Sequence, residues 1–546
     1  MADKNEFSLK IKSILNEIGD DVLLYDKAET WMYEAVYSQI EFYAYDHQLT
    51  NTAIALPLAR GLHNGTHRKS QITRNGLAYH LPYLIHPLLV CRMLVDLQVP
   101  LSKEEEDIML AAALCHDMIE DLPFEHHGRE LYEIYHLDPR VYETVLLVSK
   151  RKDFSEEEER AFFRKIRENK LALLIKLSDR GNNVEDLYNM SVWKVHEYVG
   201  ETKKFFLPMC QHGIANFPEL YHTIEILLDK MVLLTEASET LVDRYEAEEK
   251  KLIIQGNTIR NENVRLRNIW NTYLETGHTI ADAEDIPYTG ASLIEDQIEE
   301  GNFSLNTELS ECEDLYKSIE IYAAEKKLLN TLSSLSLLKD SLLGPGMDGN
   351  VQDTAENYKH VLLAAKMLID LHPILSREEE DITLSAVLCH ILFEILPFDD
   401  LPNVFHLNED VYEATKLVIR QKVLHVKERH ELYNALLSSK SACLAKLADQ
   451  SIHVQQLYGL SIWEAQEWIR ETRTFILPLC ISAREKYGDV YPVISILMEK
   501  MRSLIEVTDI LSSRYRQRED TLTKEVFSLM EENARISGMI RNLSGR

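Results

Sequence analysis

The chain has 546 residues, more than one compact core usually contains, so we expect two or more domains. Hydrophobic residues make up 45% and charged residues 27%, which is typical of a soluble globular protein. The formal net charge of −30 argues against a protein that binds nucleic-acid phosphates or anionic lipid, because both need a basic surface. A small anionic ligand stays compatible, since a metal or a few local cations can reverse the field inside one pocket.

The first ten residues, MADKNEFSLK, lack the apolar core of a secretory signal, and no apolar run reaches membrane-spanning length. Seven cysteines without any CxxC pair are typical of reduced thiols, most simply buried as small core residues. We therefore expect a cytoplasmic protein without a membrane segment.

The first polar residues that stand out along the chain lie in apolar helical patterns. His86 is the lone polar residue of YLIHPLLV, and His116 and Asp117 follow the tightly packing pattern LAAALC. Glu120 and Asp121 come four positions later, so the sequence predicts that they extend from the same helix face one turn on. Such a cluster of acids is costly to bury unless something cationic compensates it, and a divalent metal is the natural compensation.

Asp179 in LALLIKLSDRGNN is a further lone polar group in an apolar pattern. Taken singly, it is most simply a hydrogen-bonded core residue, as is His86. Taken together, three predicted helices offer a set of two histidines and two carboxylates: His86, His116, Asp117 and Asp179. This set suits Mn²⁺ or Fe²⁺, with Zn²⁺ as an alternative, and such a metal lowers the pKa of bound water. Glu120 and Asp121 would then orient or deprotonate that water and protonate a leaving oxygen.

Two long polar helical patterns follow, 224–273 and 494–542, with apolar residues at three- and four-residue steps. They predict long helices that either pack on their own domains or form a coiled coil, within one chain or between chains as a homo-oligomer. Between them, residues 268–316 contain no lysine or arginine, and much of this span is acidic and turn-prone. We therefore divide the chain into a first half (1–273), an acidic linker (274–312) and a second half (313–546).

The two halves repeat one another in sequence. The segment EEEDIMLAAALCHDMIEDLPF (104–124) aligns without gaps to EEEDITLSAVLCHILFEILPF (378–398), with fourteen of 21 positions identical. Further on, KLSDRGNNVEDLYNMSVWK from Lys176 matches KLADQSIHVQQLYGLSIWE from Lys446. We interpret the chain as a tandem duplication. Neither half shows the period-2 alternation of a sheet, so the predicted fold class is all-α, each half ending in a long helix.

The second half keeps the apolar residues and loses most of the polar set. Three candidate ligands persist, as His360, His390 and Asp449. The other polar positions change: Asp117 aligns with Ile391, Asp121 with Ile395, Arg180 with Gln450 and Asn183 with His453. We expect the second half to be an inactive copy that serves as a scaffold, interface or regulator, because a branched apolar side chain replaces one charged ligand.

Six motifs stand out between about residue 63 and residue 209: HRKS (67–70), PYLIHP (82–87), AALCHDMIED (112–121), VSK (148–150), LIKLSDRGNNVEDL (174–187) and ETKKFFLPM (201–209). Through these motifs the first half resembles the HD-domain hydrolases of the RelA/SpoT type, which remove pyrophosphate from the 3′ position of (p)ppGpp with Mn²⁺. The resemblance implies the metal ligands His86, His116, Asp117 and Asp179 and the catalytic pair Glu120 and Asp121. It also implies substrate contacts by Arg68, Lys69, Lys150, Arg180 and Asn183.

The chain departs from that family in three ways. Eleven residues, QITRNGLAYHL, separate HRKS from PYLIHP where family members have only a couple, DRGNN stands where DRLHN is usual, and no synthetase domain follows. The resemblance implies a small anionic alarmone nucleotide as substrate. The longer loop keeps a second hypothesis open, a hydrolase of another nucleotide such as an adenine alarmone or NADPH. A third hypothesis is a non-enzymatic binding or regulatory protein, motivated by the altered second half.

Overall fold

The computed structural model describes residues 2–25, 27, 30–74, 77–121, 128–150, 154–276, 305–343, 351–395, 408–419 and 426–544. The predicted fold class is confirmed: the described chain is all-α apart from one two-stranded antiparallel hairpin that the sequence did not predict. Most of the predicted linker 274–312 lies outside the described residues, which end one helix at Thr276 and resume the next at Leu305. The side chains of Lys69 and Asp121 also lie outside the description.

In the first half, α-helices make up most of the described chain, with short 3₁₀ turns and one π-helical turn, Thr202–Phe206, between them. The bounds are α1 (Ala2–Ile18), α2 (Asp20–Leu23), α3 (Glu34–Asp46), α4 (Thr50–Leu62), β1 (His67–Arg74), β2 (Leu77–Pro82), α5 (Ile85–Asp96), α6 (Lys103–Cys115), α7 (Met118–Asp121), α8 (Glu130–Glu133), α9 (Pro139–Val148), α10 (Glu156–Arg167), α11 (Lys170–Glu185), α12 (Val192–Glu201), α13 (Leu207–Asn216) and α14 (Tyr221–Thr276).

In the second half, the order of helices is similar, and a π-helical turn again precedes the penultimate helix, at Thr472–Ile476. The bounds are α15 (Leu305–Lys326), α16 (Leu329–Leu343), α17 (Val351–Leu371), α18 (Arg377–Ile395), α19 (Glu409–Val418), α20 (Val426–Ser438), α21 (Lys440–Gln455), α22 (Ile462–Glu471), α23 (Leu477–Lys486) and α24 (Tyr491–Ser544).

Local sequence explains where the site-bearing helices begin. Ser102 caps α6 in a reciprocal capping box with Glu105, so that two otherwise unsatisfied backbone N–H groups gain acceptors. The side chain of Asn169 accepts the backbone N–H of Ala172 at the start of α11. These caps define the first turn of α6, which leads into His116 and Asp117, and that of α11, which carries Asp179.

Equivalent contacts anchor α3 in the first half and α15 in the second half. The hydroxyl of Tyr43 donates to Glu106 at 2.6 Å, and that of Tyr322 donates to Glu380 at the same distance. One continuous cluster of buried apolar residues extends through both halves, so the halves share a core. The second half therefore cannot be removed without exposing apolar surface of the first.

The two long helices, α14 and α24, pack against each other within the chain. Tyr245 stacks on its aligned residue Tyr515 with ring centroids 4.4 Å apart and planes 7° apart. Near the far ends, Leu266 packs with Ile536 and Ile540 in a separate small cluster. Two of the alternatives that the sequence left open are therefore both present: α14 and α24 pair within one chain, and each also packs on helices of its own half. Association between chains stays a prediction. In the part of the chain that the structure describes, no helix is both long enough and apolar enough to cross a bilayer.

Candidate metal centre

Four candidate ligands of the first half meet in a buried site between α5, α6 and α11; we call His86, His116, Asp117 and Asp179 the first cluster. His86 lies in the first turn of α5, and its Nε2 is 3.1 Å from Asp179 Oδ1 and 3.6 Å from Asp117 Oδ2. His116 follows α6, and its Nε2 is 3.2 Å from Asp117 Oδ1 and 3.7 Å from Asp179 Oδ1. Helices that are far apart in sequence therefore bring together the side chains that the sequence predicted as one set.

Both histidines are oriented so that Nε2 faces the centre of the cluster. His86 Nδ1 donates to the side-chain oxygen of Asn182 at 2.6 Å, and His116 Nδ1 donates to the backbone carbonyl of Ala113 at 2.8 Å. A proton held on Nδ1 leaves the lone pair of Nε2 free, which is how second-shell partners prepare histidine as a metal ligand.

The donor set fits a divalent cation. His116 Nε2 is fully buried and makes no hydrogen bond of acceptable geometry, although two carboxylate oxygens lie close to it. A buried polar atom without a partner is costly, and a bound cation would satisfy it. Two imidazole nitrogens with carboxylate oxygens are ligands that Mn²⁺, Fe²⁺ and Zn²⁺ accept. The buried histidines and Asp179 could thus hold a divalent metal.

The charges of the cluster shift its pKa values strongly. Burial lowers the pKa of His116, but the carboxylates of Asp117 and Asp179 outweigh burial and raise it well above the ordinary value. Burial raises the pKa of Asp179, but Lys176 and the histidines outweigh burial and hold it well below the ordinary range. The carboxylates are therefore ionised at neutral pH and attract either protons on the histidines or a cation.

The helix that carries His116 is not continuous, contrary to the prediction from its pattern. Helix α6 ends at Cys115, and α7 starts at Met118, so the His-Asp dipeptide forms the turn between them. Asp117 directs its carboxylate into the cluster, where the hydroxyl of Tyr83 donates to its Oδ2 at 2.7 Å. The predicted stacking of Glu120 one helical turn after His116 is therefore replaced by a break in the helix.

Glu120 nevertheless lies beside the first cluster. Its carboxylate accepts the backbone N–H of Lys150, and its pKa is raised, because burial outweighs the lowering effect of Lys176. The carboxylates of Asp117 and Asp179 raise the pKa of Glu120 further. A carboxyl group with a raised pKa beside a candidate metal site is suited to accept and return a proton.

The described candidates for substrate contact surround the cluster. Arg68 forms an ion pair with Asp186 at 3.0 Å and lies 3.5 Å from Asn183 Oδ1, while Asn183 donates to Asp179 Oδ1 at 2.6 Å. On another side, Lys150 and Arg180 both pair with Glu201.

Arg180 has an unused donor. Its guanidinium is buried above the ring of Phe206, with 4.1 Å between the guanidinium carbon and the ring centroid. Although Arg180 pairs with Glu201, its Nη1 is buried without a hydrogen-bond partner. This donor would be satisfied by an anionic oxygen.

The second half also assembles the three ligands that it retains; we call His360, His390 and Asp449 the second cluster. Asp449 Oδ1 is 2.9 Å from His360 Nε2, 3.1 Å from His390 Nε2 and 3.4 Å from His453 Nε2. Its other oxygen pairs with the buried ammonium of Lys446 at 3.1 Å. Asp449 is therefore surrounded by donors from the chain itself.

Sequence reasoning missed several residues that support the first cluster. Lys176 pairs with Asp179 Oδ2 at 2.9 Å, Tyr83 bonds Asp117, and Asn182 bonds His86. The signal for Lys176 was available, because it precedes Asp179 by three residues and so lies on the same helix face. Tyr83 precedes α5 and bonds a residue 34 positions away, so no local pattern indicated it. Asn182 belongs to DRGNN, the segment that departs from the family pattern.

No protein-family model matches this chain, and no solved structure matches it.

Proposed function

We propose that the first half is a metal-dependent hydrolase that removes the 3′-pyrophosphate from (p)ppGpp-like alarmone nucleotides. The observation that carries the proposal is the buried first cluster, in which His116 Nε2 lacks a hydrogen-bond partner and both histidines are oriented with Nε2 inward. Bound there, a divalent cation would polarise a phosphoryl oxygen and lower the pKa of a water molecule.

Glu120 is the proposed proton acceptor. In the hydrolysis, a bond forms between the oxygen of water and phosphorus, and the bond from that phosphorus to the ribose 3′ oxygen breaks. Glu120 would accept the proton that water loses, because burial keeps its pKa closer to neutrality than that of an exposed carboxyl. The same acid pair, Glu120 and Asp121, would protonate the leaving 3′ oxygen.

Arg180 is the proposed contact for the pyrophosphate. Its buried Nη1 lacks an acceptor, and Lys150 lies with it around Glu201. Lys150 also pairs with Glu159, so the two cations are balanced by two carboxylates, and the unpaired Nη1 of Arg180 is the donor that would bind a phosphate oxygen. Arg68, near Asn183, would contact the nucleoside.

The test is a nucleotide panel assayed with Mn²⁺ for release of pyrophosphate or phosphate. The proposal expects (p)ppGpp to give the highest kcat/KM and Asp117→Asn to abolish its hydrolysis. Full activity of the Asp117→Asn chain would overturn the assignment of the first cluster as the active site.

A second candidate, hydrolysis of an adenine alarmone or of the 2′-phosphate of NADPH, is favoured by the hairpin. Strands β1 and β2 pair from His67, opposite Pro82, to Arg74, opposite Leu77. The hairpin thus begins at the proposed nucleoside-binding residues, where it can alter the preference for the base. A higher kcat/KM for one of these substrates in the same panel would support this candidate and reject the guanine alarmone.

A further inference from the structure

A chain of hydrogen bonds leads from the first cluster into the second half. Asn182 accepts from His86 Nδ1 through its oxygen and donates through its nitrogen to Glu185 Oε2 at 2.9 Å. The other oxygen of Glu185 accepts the hydroxyl of Ser503 at 2.7 Å. Ser503 lies on α24, so one candidate metal ligand is linked to the second half through only two side chains.

Every residue in this series of hydrogen bonds is buried or nearly so. Lys230 on α14 holds Glu185 in place by pairing with its Oε1 at 2.5 Å. Burial raises the pKa of Glu185, but Lys230 and Ser503 outweigh burial and hold that pKa below the ordinary value. Glu185 is therefore an ionised acceptor at neutral pH, and hydrogen bonds to an ionised group are stronger than those between neutral groups.

Packing alone does not fix these side chains. A cavity of about 270 Å³ lies between the two halves, and Asn182, Glu185 and Lys230 form part of its lining. Because one side of Asn182 and Glu185 faces this open space, their rotamers depend on the hydrogen bonds that they make.

The second half lacks the reciprocal chain. Asn182 aligns with Ile452, Glu185 with Gln455, and Ser503 with Leu233. Neither Ile452 nor Leu233 carries a polar side-chain atom, so His360 cannot be held in the corresponding way. All three positions are polar where they lead to the first cluster and are changed where they lead to the second cluster.

We propose that Ser503, acting through Glu185 and Asn182, positions His86 and thereby lets the second half set the metal affinity of the first cluster. The proposal rests on the metal site assigned above. Ser503 is a positioning residue, because it acts on the ligand only through two other side chains.

The test is a titration with Mn²⁺, in which the free ion is measured by electron paramagnetic resonance and no nucleotide is present. All chains also carry His390→Ala, which removes a donor of the second cluster, so that the signal reports the first. Asn182→Ile, which imports the aligned residue, should raise the Kd for Mn²⁺ by about 10–100-fold, the usual effect of losing a second-shell partner. Ser503→Ala should raise it by about 3–10-fold, because Lys230 still holds Glu185.

Ser495→Ala is the matched control, since Ser495 is a buried serine of the same helix whose hydroxyl has no hydrogen-bond partner. It should leave the Kd unchanged, and Ser503→Thr, which keeps a hydroxyl, should stay within about twofold of the parent chain. An unchanged Kd in Ser503→Ala, or an equal rise in Ser495→Ala, would overturn the proposal. If Ser503→Ala does not fold, Glu185→Gln replaces it, with the same expected direction and the same overturning result.

The two proposals fail separately. If the Kd values shift as expected but the panel of nucleotides is not hydrolysed, the proposed function fails and the positioning role stands. If nucleotide is hydrolysed but the Kd stays constant across the variants, the positioning role fails and the proposed function stands.

Discussion

The two clusters differ in one carboxylate and in how their polar atoms are satisfied. In the first, Asp117 adds a second carboxylate, yet His116 Nε2 finds no hydrogen-bond partner. In the second, Ile391 aligns with Asp117, and Asp449 pairs with both histidines and with Lys446. One site is left incomplete by its own side chains, whereas the other is completed by them. A cation on the first cluster would satisfy His116 Nε2, whereas Asp449 of the second cluster already has partners from the chain itself.

The backbones differ at the same point. Helix α6 stops before His116, whereas α18 continues through His390 and Ile391 to Ile395. An aspartate side chain has a low helix propensity, and here its carboxylate is drawn toward Tyr83 and the histidines. Isoleucine has no such partners and packs in the continuous helix. The first half thus has a less regular helix at its candidate site than the second half has at the aligned position.

The largest expected effect is on hydrolysis by the first half. Asp117→Asn should lower kcat for the nucleotide substrate by more than about 10³-fold, because it weakens metal binding and also impairs general acid–base catalysis. General acid–base catalysis by itself contributes about 10²–10⁴-fold. Ile391→Leu at the aligned position should leave kcat within about twofold, since apolar swaps of equal volume are tolerated. Equal losses in the two variants would erase the proposed difference between the halves.

A smaller effect is expected for Glu120→Gln, with a loss in kcat of about 10²–10⁴-fold. Because the pKa of Glu120 is raised and a base must be deprotonated, the rate of the parent chain should rise with pH through a value above that of an ordinary glutamate. The variant should lose this acidic limb of the pH–rate profile. Glu394→Gln at the aligned position should keep both the rate and the limb; a limb that persists in Glu120→Gln would assign it to another group.

The second cluster should be the more sensitive to loss of its lysine. Lys446→Met leaves the buried carboxylate of Asp449 without its cation, which costs about 3–5 kcal/mol for a buried pair broken on one side. Lys176→Met, assayed with Mn²⁺, should cost less, because a metal on the first cluster compensates Asp179. The urea midpoints of unfolding of both variants measure the two losses of stability. A larger loss in Lys176→Met than in Lys446→Met would reverse the assignment of the metal to the first cluster.

The smallest effect is stabilisation by the metal itself. Mn²⁺ at 100 times its Kd should stabilise a metal-free chain by about 2.7 kcal/mol, seen as a rise in Tm. His116→Ala should abolish the rise in Tm, and His390→Ala should keep it. The two variants are matched, because both histidines donate Nδ1–H to a backbone carbonyl of the preceding turn. A rise that survives His116→Ala but not His390→Ala would place the metal in the second cluster.

The sequence by itself determined the fold class and picked out the buried histidines and Asp179 that the fold brings together. Apolar residues at three- and four-residue steps define helices locally, so the all-α class and the long helices at 221–276 and 491–544 needed no tertiary information. The histidines and Asp179 stood out because each is polar in an otherwise apolar helix, and burial of such groups needs partners.

Only the tertiary structure decided which groups became those partners. The break before His116 depends on where Tyr83 and the histidines lie around Asp117. The link from His86 to Ser503 passes through a hydrogen bond between Glu185 on α11 and Ser503 on α24, which are over 300 positions apart in the sequence. Helix periodicity states which face is buried but not which distant helix covers it. The pairing of α14 with α24, the shared core and the path between the two halves therefore follow from packing, which no local pattern encodes.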